Sequence, residues 1–356
     1  MAGELDVRRR VALGAAAALA SALLGVVGLF VLRHAVVHYT YQDLLARQLS
    51  WAALGLLLAS AVALCPAHLL SRTAYPLAIA LALGLLLHLH WASHTWLRPS
   101  DVIVAGMLPC VSRLAAASRG RRPSWATWCG LGAFTLGVAV LFLLVGPAPA
   151  LVWLVVASSG LSAMAWSGAQ KGALAGVLGV AVGIQLSWLQ PYQLARLRGW
   201  LSPVADARGA GWRILELRRL VKEGGWWGAD APWPARHGVN AFEAPYAFVG
   251  HEAGWLALGA VVLLNVVVTG VAAWIGIKAS SLEARAIGRG VAGFWGVHLL
   301  LAAGGNLGLL PEVANTPPLI GYGGSAVVAA LFSLGLLLHV LRRPDETLPG
   351  TGGSAG

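Results

Sequence analysis

Stretches of about 20 apolar residues recur along most of this chain, near 11–32, 50–70, 74–91, 101–118, 126–146, 149–168, 171–189, 252–277, 289–308 and 322–341. A helix that crosses a hydrocarbon core of about 30 Å needs about 20 apolar residues. The pattern therefore predicts an all-α polytopic membrane protein with about ten transmembrane helices. Composition points the same way: 58% of the 356 residues are hydrophobic and 11% charged, too little polar surface to cover a soluble globule of this size. Several segments are rich in Gly and Ala, which let helix backbones approach closely in lipid.

A net charge of +11 invites a nucleic-acid reading, but the basic residues sort by side of the membrane rather than into one patch. With ten spans and the N-terminus inside, the short inner segments hold Arg8, Arg9, Arg10, Arg72, Arg113, Arg119, Arg121, Arg122, Lys171, Lys278, Arg285, Arg289, Arg342 and Arg343. Short outer segments hold only Arg33, Arg47 and Arg98. The excess of Lys and Arg in short cytoplasmic segments then places both termini in the cytoplasm and the long 190–250 loop outside. The first apolar run exceeds a usual signal-peptide core and reads as a retained signal-anchor helix. Residues 342–356 read as a disordered cytoplasmic tail. Cys65, Cys110 and Cys129 lie in or beside spans at irregular spacing, the pattern of small core residues rather than of disulfides or a zinc site.

Within the loop, Trp212, Leu215, Leu217, Leu220 and Val221 fall opposite Arg213, Arg218, Arg219 and Lys222, the pattern of a short helix lying in the membrane interface. Trp226, Trp227 and Trp233 suit the same headgroup level. LSRTAYP and SRGRRPSW read as plain connectors. His34 with His38, and His90 with His94, stand four apart at outer span ends. Such pairs serve as zinc ligands or as interfacial polar caps, and the sequence leaves both readings open.

One segment stands apart from the alternation of spans and connectors: GLLPEVANTPPLIGYGGSA, Gly308–Ala326, a rigid Pro- and Gly-rich re-entry between two apolar stretches. Gly308, Pro311, Pro318, Tyr322, Gly323, Gly324 and Ser325 fall in register with the GLLPxxGxxLPxxSYGGSS signature of the SEDS proteins, the FtsW, RodA and SpoVE group. Further matches are spread along the chain. Arg47, Gln48 and Gly55 resemble the family's RQ and following glycine, and Pro99, Ser100 and Asp101 its PSE. Pro191, Tyr192, Arg196 and Pro203 resemble PYxxxRxxxFxxP. Asp206, Gly209 and Gly211 resemble DPxGxGYQ, while Gly224, Gly225 and Gly228 resemble GGxxG. Gly250, Glu252 and Gly254 resemble IGEELG. The chain is identified as a divergent member, with residues 1–341 forming one SEDS-like transmembrane domain that contains the 190–250 loop.

The resemblance implies a glycosyltransferase of the bacterial cytoplasmic membrane that polymerises lipid II into peptidoglycan strands in division or elongation. The family's catalytic acid lies seven residues before the glycine in TDFIFAVIG, and the aligned residue here is Glu243. A carboxylate there would take the proton of the acceptor's 4-hydroxyl as that oxygen attacks the anomeric carbon. Arg47, Gln48, Arg98 and Arg196 are the substrate-binding candidates; the arginines would hold the lipid pyrophosphate or, for Arg47 and Arg196, snorkel to headgroups. The resemblance also implies a divalent cation, Mg²⁺ or Mn²⁺, and a class B penicillin-binding protein as partner alongside lipid II and membrane lipids. Three departures matter: Val104 aligns with a family Lys, Ala148 with the Asp of PDLGT and Ala302 with the Asn of NIG. Val104 and Ala148 motivate a second reading, a degenerate member that binds lipid-linked substrate or scaffolds a transpeptidase. A lipid flippase ranks third, since Glu283, Glu252, Glu312 and Asp101 stand at span ends rather than mid-span.

Overall fold

The computed structural model describes residues 2–39, 43–91, 100–118, 121–144, 146–187, 190–233, 239–313 and 315–343, and every regular element among them is helical. Before the long loop come α1 (Ala2–Tyr39), α2 (Asp43–Leu64), α3 (Ala67–Trp91), α4 (Ser100–Gly106), α5 (Leu108–Ala117), α6 (Trp125–Leu143), α7 (Pro147–Leu161) and α8 (Gly168–Ser187). The loop itself folds into α9 (Pro191–Leu201), α10 (Trp212–Glu223) and α11 (Pro245–Glu252). After it come α12 (Gly254–Lys278), α13 (Leu282–Asn306) and α14 (Gly324–Leu341).

Each of the ten expected segments carries helix, and the chain is a multi-pass membrane protein. Among the described residues, seven stretches are long and apolar enough to cross a bilayer: α1 from Arg8 to His34, α2, α4 with α5, α6, α12, α13 and α14. The tail from residue 344, Arg98, Pro99 and His94 lie outside the described residues.

Two boundaries differ from the apolar pattern. The run across 50–70 is divided at Cys65–Pro66, and LSRTAYP is not a connector but part of α3, with Pro76 inside the helix. Pro66 lacks an N–H and disfavours helical backbone at the residue before it, so the chain breaks there despite uninterrupted hydrophobicity. The 101–118 segment likewise divides at Met107, the N-cap of α5, whose second residue is Pro109. SRGRRPSW does connect: Ser124 accepts a hydrogen bond from the Thr127 N–H and opens α6.

The interior is built from α4, α5, α13 and α14, which are mostly enclosed, while α2, α6 and α12 keep most of their surface outward. Small residues set the tight crossings. A Cβ at Gly288 on α13 would meet the Gly276 backbone of α12 at 2.5 Å, and one at Gly335 on α14 would meet the Ala59 carbonyl of α2 at 2.6 Å. Arg289 fastens the first crossing, its Nε donating to the Gly276 carbonyl and a terminal nitrogen to that of Ser162 at the end of α7. Cys110 is buried, Cys65 half-buried and Cys129 exposed, and all three are free thiols.

Candidate active site

The loop matches that look scattered in the sequence meet in space. Asp206 accepts a hydrogen bond from the Ala210 N–H at 2.8 Å, closing the turn between α9 and α10. Gly211 packs on the Pro203 carbonyl and Gly199 on that of Ala210, where a side chain would overlap backbone. At the far end of α10, Gly224 rests on the Gly250 carbonyl and Gly228 on that of Glu252. The Ala229 N–H donates to the His251 carbonyl and the Trp255 N–H to that of Gly225, both at 2.8 Å. Gly228 (φ 109°) and Gly254 (φ 80°) take left-handed backbone that other residues rarely adopt. The GGxxG-like and IGEELG-like stretches are thus two halves of one backbone joint.

This joint changes the reading of α10. Its buried face is Ile214, Leu217 and Leu220, while Trp212 is exposed. The helix packs against α11 through this face, with Leu215 half-buried beside it. Trp226 and Trp227 are exposed, but Trp233 is enclosed between the rings of Phe248 and His251, its indole N–H donating to the Val239 carbonyl. Glu252 accepts the Trp233 backbone N–H. His34 lies against Phe248, ring centroids 4.8 Å apart. The side chains of His38, His90 and His94 fall outside the described ones.

Glu243 sits just before α11. The first turn of that helix has no capping side chain of its own; Pro245 removes one orphan donor and Asn306, at the end of α13, accepts the Tyr246 N–H at 3.2 Å. Asn306, the neighbour of the NIG-aligned Ala302, therefore anchors the segment that carries the acid. Glu243 Oε1 accepts from Asn240 Nδ2 at 2.9 Å, and Oε2 from an Arg213 terminal nitrogen at 3.3 Å. Arg213 in turn grips Glu312 with a fork, Nε to Oε2 at 2.5 Å and the terminal nitrogen to Oε1 at 2.8 Å. Glu243 has 44% of its side chain exposed against 25% for Arg213 and 20% for Glu312, so Glu243 is the more solvent-open of the two carboxylates. Burial of Arg213 opposes its charge, but the hydrogen bond and charge of Glu312, reinforced by Glu243, outweigh this and hold the guanidinium above its ordinary value. Arg213 stays cationic at every working pH.

The re-entry forms the floor. Gly308 turns left-handed (φ 70°), and Arg218 of α10 donates to its carbonyl at 2.7 Å. Leu319 also has positive φ, 66°, and its carbonyl lies against Gly28 of α1, where no side chain fits. Gln48 of α2 is buried and donates its amide to the Gly321 carbonyl at 3.2 Å. Gly324 faces the Trp51 indole, and Tyr322 meets Phe242, the residue before Glu243, with ring centroids 6.2 Å apart. Pro311 is half-buried, Pro318 buried, Gly323 is the N-cap of α14 and Ser325 lies in its first turn.

Of the sequence candidates, Glu243 and the signature residues come together, and Gln48 reaches the re-entry. Arg47 is exposed one residue away, and Arg196 is exposed on α9 with its guanidinium 5.8 Å from the Tyr192 ring centre. Arg213, Asn240 and Glu312 join the site without being among the sequence candidates. Two of them stand in or beside a quoted motif: Arg213 occupies the place of the final Gln in DPxGxGYQ, and Glu312 directly follows Pro311.

The donor set does not suit a protein-held divalent cation. Both oxygens of Glu312 and one of Glu243 are on Arg213, and the last is on Asn240, so a hard cation seeking oxygen ligands would compete with a guanidinium. Among the described residues no three His, Cys, Asp or Glu side chains gather elsewhere in metal-binding fashion.

The family model for FtsW, RodA and SpoVE, described as "Cell cycle protein", matches residues 13–346. The chain belongs to this family. Among relatives of the family, the "Probable peptidoglycan glycosyltransferase FtsW" of Halothiobacillus neapolitanus is 30% identical over 200 residues, 52% of this chain and 47% of that protein. The protein of the same name from Burkholderia thailandensis is 26% identical over 257 residues, 69% and 55% of the two chains. The match thus spans about half the length of these curated relatives. The fold agrees with a chain solved in work on "Structural coordination of polymerization and crosslinking by a peptidoglycan synthase complex", with TM-score 0.74 and 24% identity over 92% of this chain and 96% of that one. It also agrees with the rod shape determining protein RodA of Thermus thermophilus, with TM-score 0.64 and 23% identity over 92% of this chain and 95% of that one.

Proposed function

We propose that this chain is an inverting peptidoglycan glycosyltransferase that polymerises lipid II at the outer face of a bacterial cytoplasmic membrane, with Glu243 as general base. The observation that carries the reading is an exposed carboxylate, held by Asn240 and Arg213, on a segment anchored to the family's re-entrant signature. In this reading the acceptor's 4-hydroxyl gives its proton to Glu243. Its oxygen forms the new bond to the anomeric carbon of the donor, while the bond from that carbon to the pyrophosphate oxygen breaks from the opposite face. The electron pair leaves with the lipid pyrophosphate, and inversion follows.

Arg47 and Arg196, exposed on α2 and α9, together with Arg98, are the residues proposed to meet the pyrophosphate; Gln48 supports them by fixing the re-entry to α2. A divalent cation, Mg²⁺ or Mn²⁺, would find its oxygen ligands on the pyrophosphate and enter with the substrate. The names of the relatives motivate lipid II as substrate and, from the synthase complex, a class B penicillin-binding protein as partner. The buried, apolar Val104 and Ala148 favour the second reading, a member that binds lipid-linked substrate or scaffolds without turning it over.

The test is glycan polymerisation from purified lipid II with Mg²⁺ or Mn²⁺, with and without a cognate penicillin-binding protein, comparing wild type with Glu243→Gln. Product that disappears in the variant supports the polymerase. A wild type that binds lipid II and yields no product with its partner present supports the scaffold.

A further inference from the structure

We infer that Glu312 and Arg213 are positioning residues that act in series on Glu243: Glu312 locks the Arg213 guanidinium, and the locked guanidinium fixes one carboxylate oxygen of Glu243. The inference deepens the reading of Glu243 as the base and rests on it for its catalytic part.

The geometry carries the order of the chain. Arg213 commits Nε and a terminal nitrogen to the two oxygens of Glu312, a planar fork that fixes the guanidinium in direction as well as place. The same terminal nitrogen then reaches Glu243 Oε2 at 3.3 Å, longer than either bond to Glu312. Glu312 is thus the anchor and Glu243 the group being steered. The anchor stands on the re-entry directly after Pro311, a residue with fixed φ, so the fork is referenced to the floor of the site. Asn240 holds the other oxygen from the turn that leads into Glu243.

A Glu at this position has one more rotatable bond than an Asp. Two separate tethers, one on each oxygen, remove that added freedom and leave the exposed carboxylate in one orientation. This accounts for charge at two positions, 213 and 312, that are 99 residues apart.

The experiment uses the whole chain in detergent or nanodiscs with Arg213→Gln, Arg213→Lys, Glu312→Gln and, as a control on the same helix, Arg219→Gln, which pairs with Glu216 and Glu223. Polymerisation kinetics from lipid II, thermal unfolding and hydrogen exchange over 239–244 are measured together. Arg213→Gln is expected to lower kcat by about 10- to 100-fold, the scale of a displacement of about 1 Å, with KM changed by less than about 2-fold. Glu312→Gln follows in the same direction, and Arg213→Lys fails to rescue because a point charge cannot form the fork. In a Glu243→Gln background, Arg213→Gln adds no further loss. Exchange over 239–244 accelerates in the Arg213 and Glu312 variants, and Arg219→Gln matches wild type throughout.

Unchanged exchange over 239–244, full rescue by Lys, or losses of kcat that merely track losses of Tm would overturn the inference. A wild type without polymerase activity would sink the functional reading and leave exchange to decide the positioning. Slower exchange in wild type than in Arg213→Gln would then uphold the tether, and equal exchange would refute it.

Discussion

Glycine does two different jobs in two adjoining regions of this molecule. In α8, Gly172, Gly176 and Gly179 have open space where a side chain would stand, with no atom of another element within 4 Å among the described residues. In the 190–250 segment, Gly199, Gly211, Gly224 and Gly228 lie against carbonyls of α10, α11 and their turns. The first set stands where nothing packs against it, and the second is required by a joint where backbone meets backbone. Glycine content alone cannot tell them apart, and the difference is decided by what lies opposite.

Substitution sharpens the contrast most at the joint. Gly224→Ala places a methyl on the Gly250 carbonyl, with neither side flexible, and is expected to cost about 3 kcal/mol or more. Thermal unfolding and yield of folded protein in detergent are the readouts, and near wild-type behaviour would break the comparison. Next comes Glu243→Gln, which leaves the joint intact and is expected to lower polymerisation by about 10²- to 10⁴-fold with unchanged Tm, the usual contribution of a general base. Asp206→Ala removes one exposed side-chain hydrogen bond in the turn between α9 and α10, with an expected loss of about 1 kcal/mol by denaturant or heat. The smallest effect belongs to Gly176→Ala on α8, within about 0.5 kcal/mol of wild type, and a large loss there would show a packing partner for that face.

The helices are legible in the sequence because the rule behind them is local: about 20 apolar residues make one crossing, whatever surrounds them. The break at Cys65–Pro66 is hidden because hydrophobicity runs straight across it, and only the missing N–H of Pro66 ends α2. Glu243 and the re-entry are legible through motif register. Arg213 reads as part of a solvated helix face because amphipathic spacing reports only which side a residue occupies. Its partner Glu312 is 99 residues distant, and charge sign cannot select one acid among many. Ile214 takes the place of Trp212 on the buried face for the same reason: spacing does not say which neighbour α10 packs against.

A joint of carbonyl against α-carbon is indifferent to the side chains that flank it. Lys222 and Trp227 are exposed around it and can change size or sign without altering how α10 meets α11. The loop can therefore be repainted on its outer surface, for a new neighbour or a new lipid, while the distance from that surface to Glu243 is kept by atoms every residue possesses. Only the glycines themselves are barred from drifting.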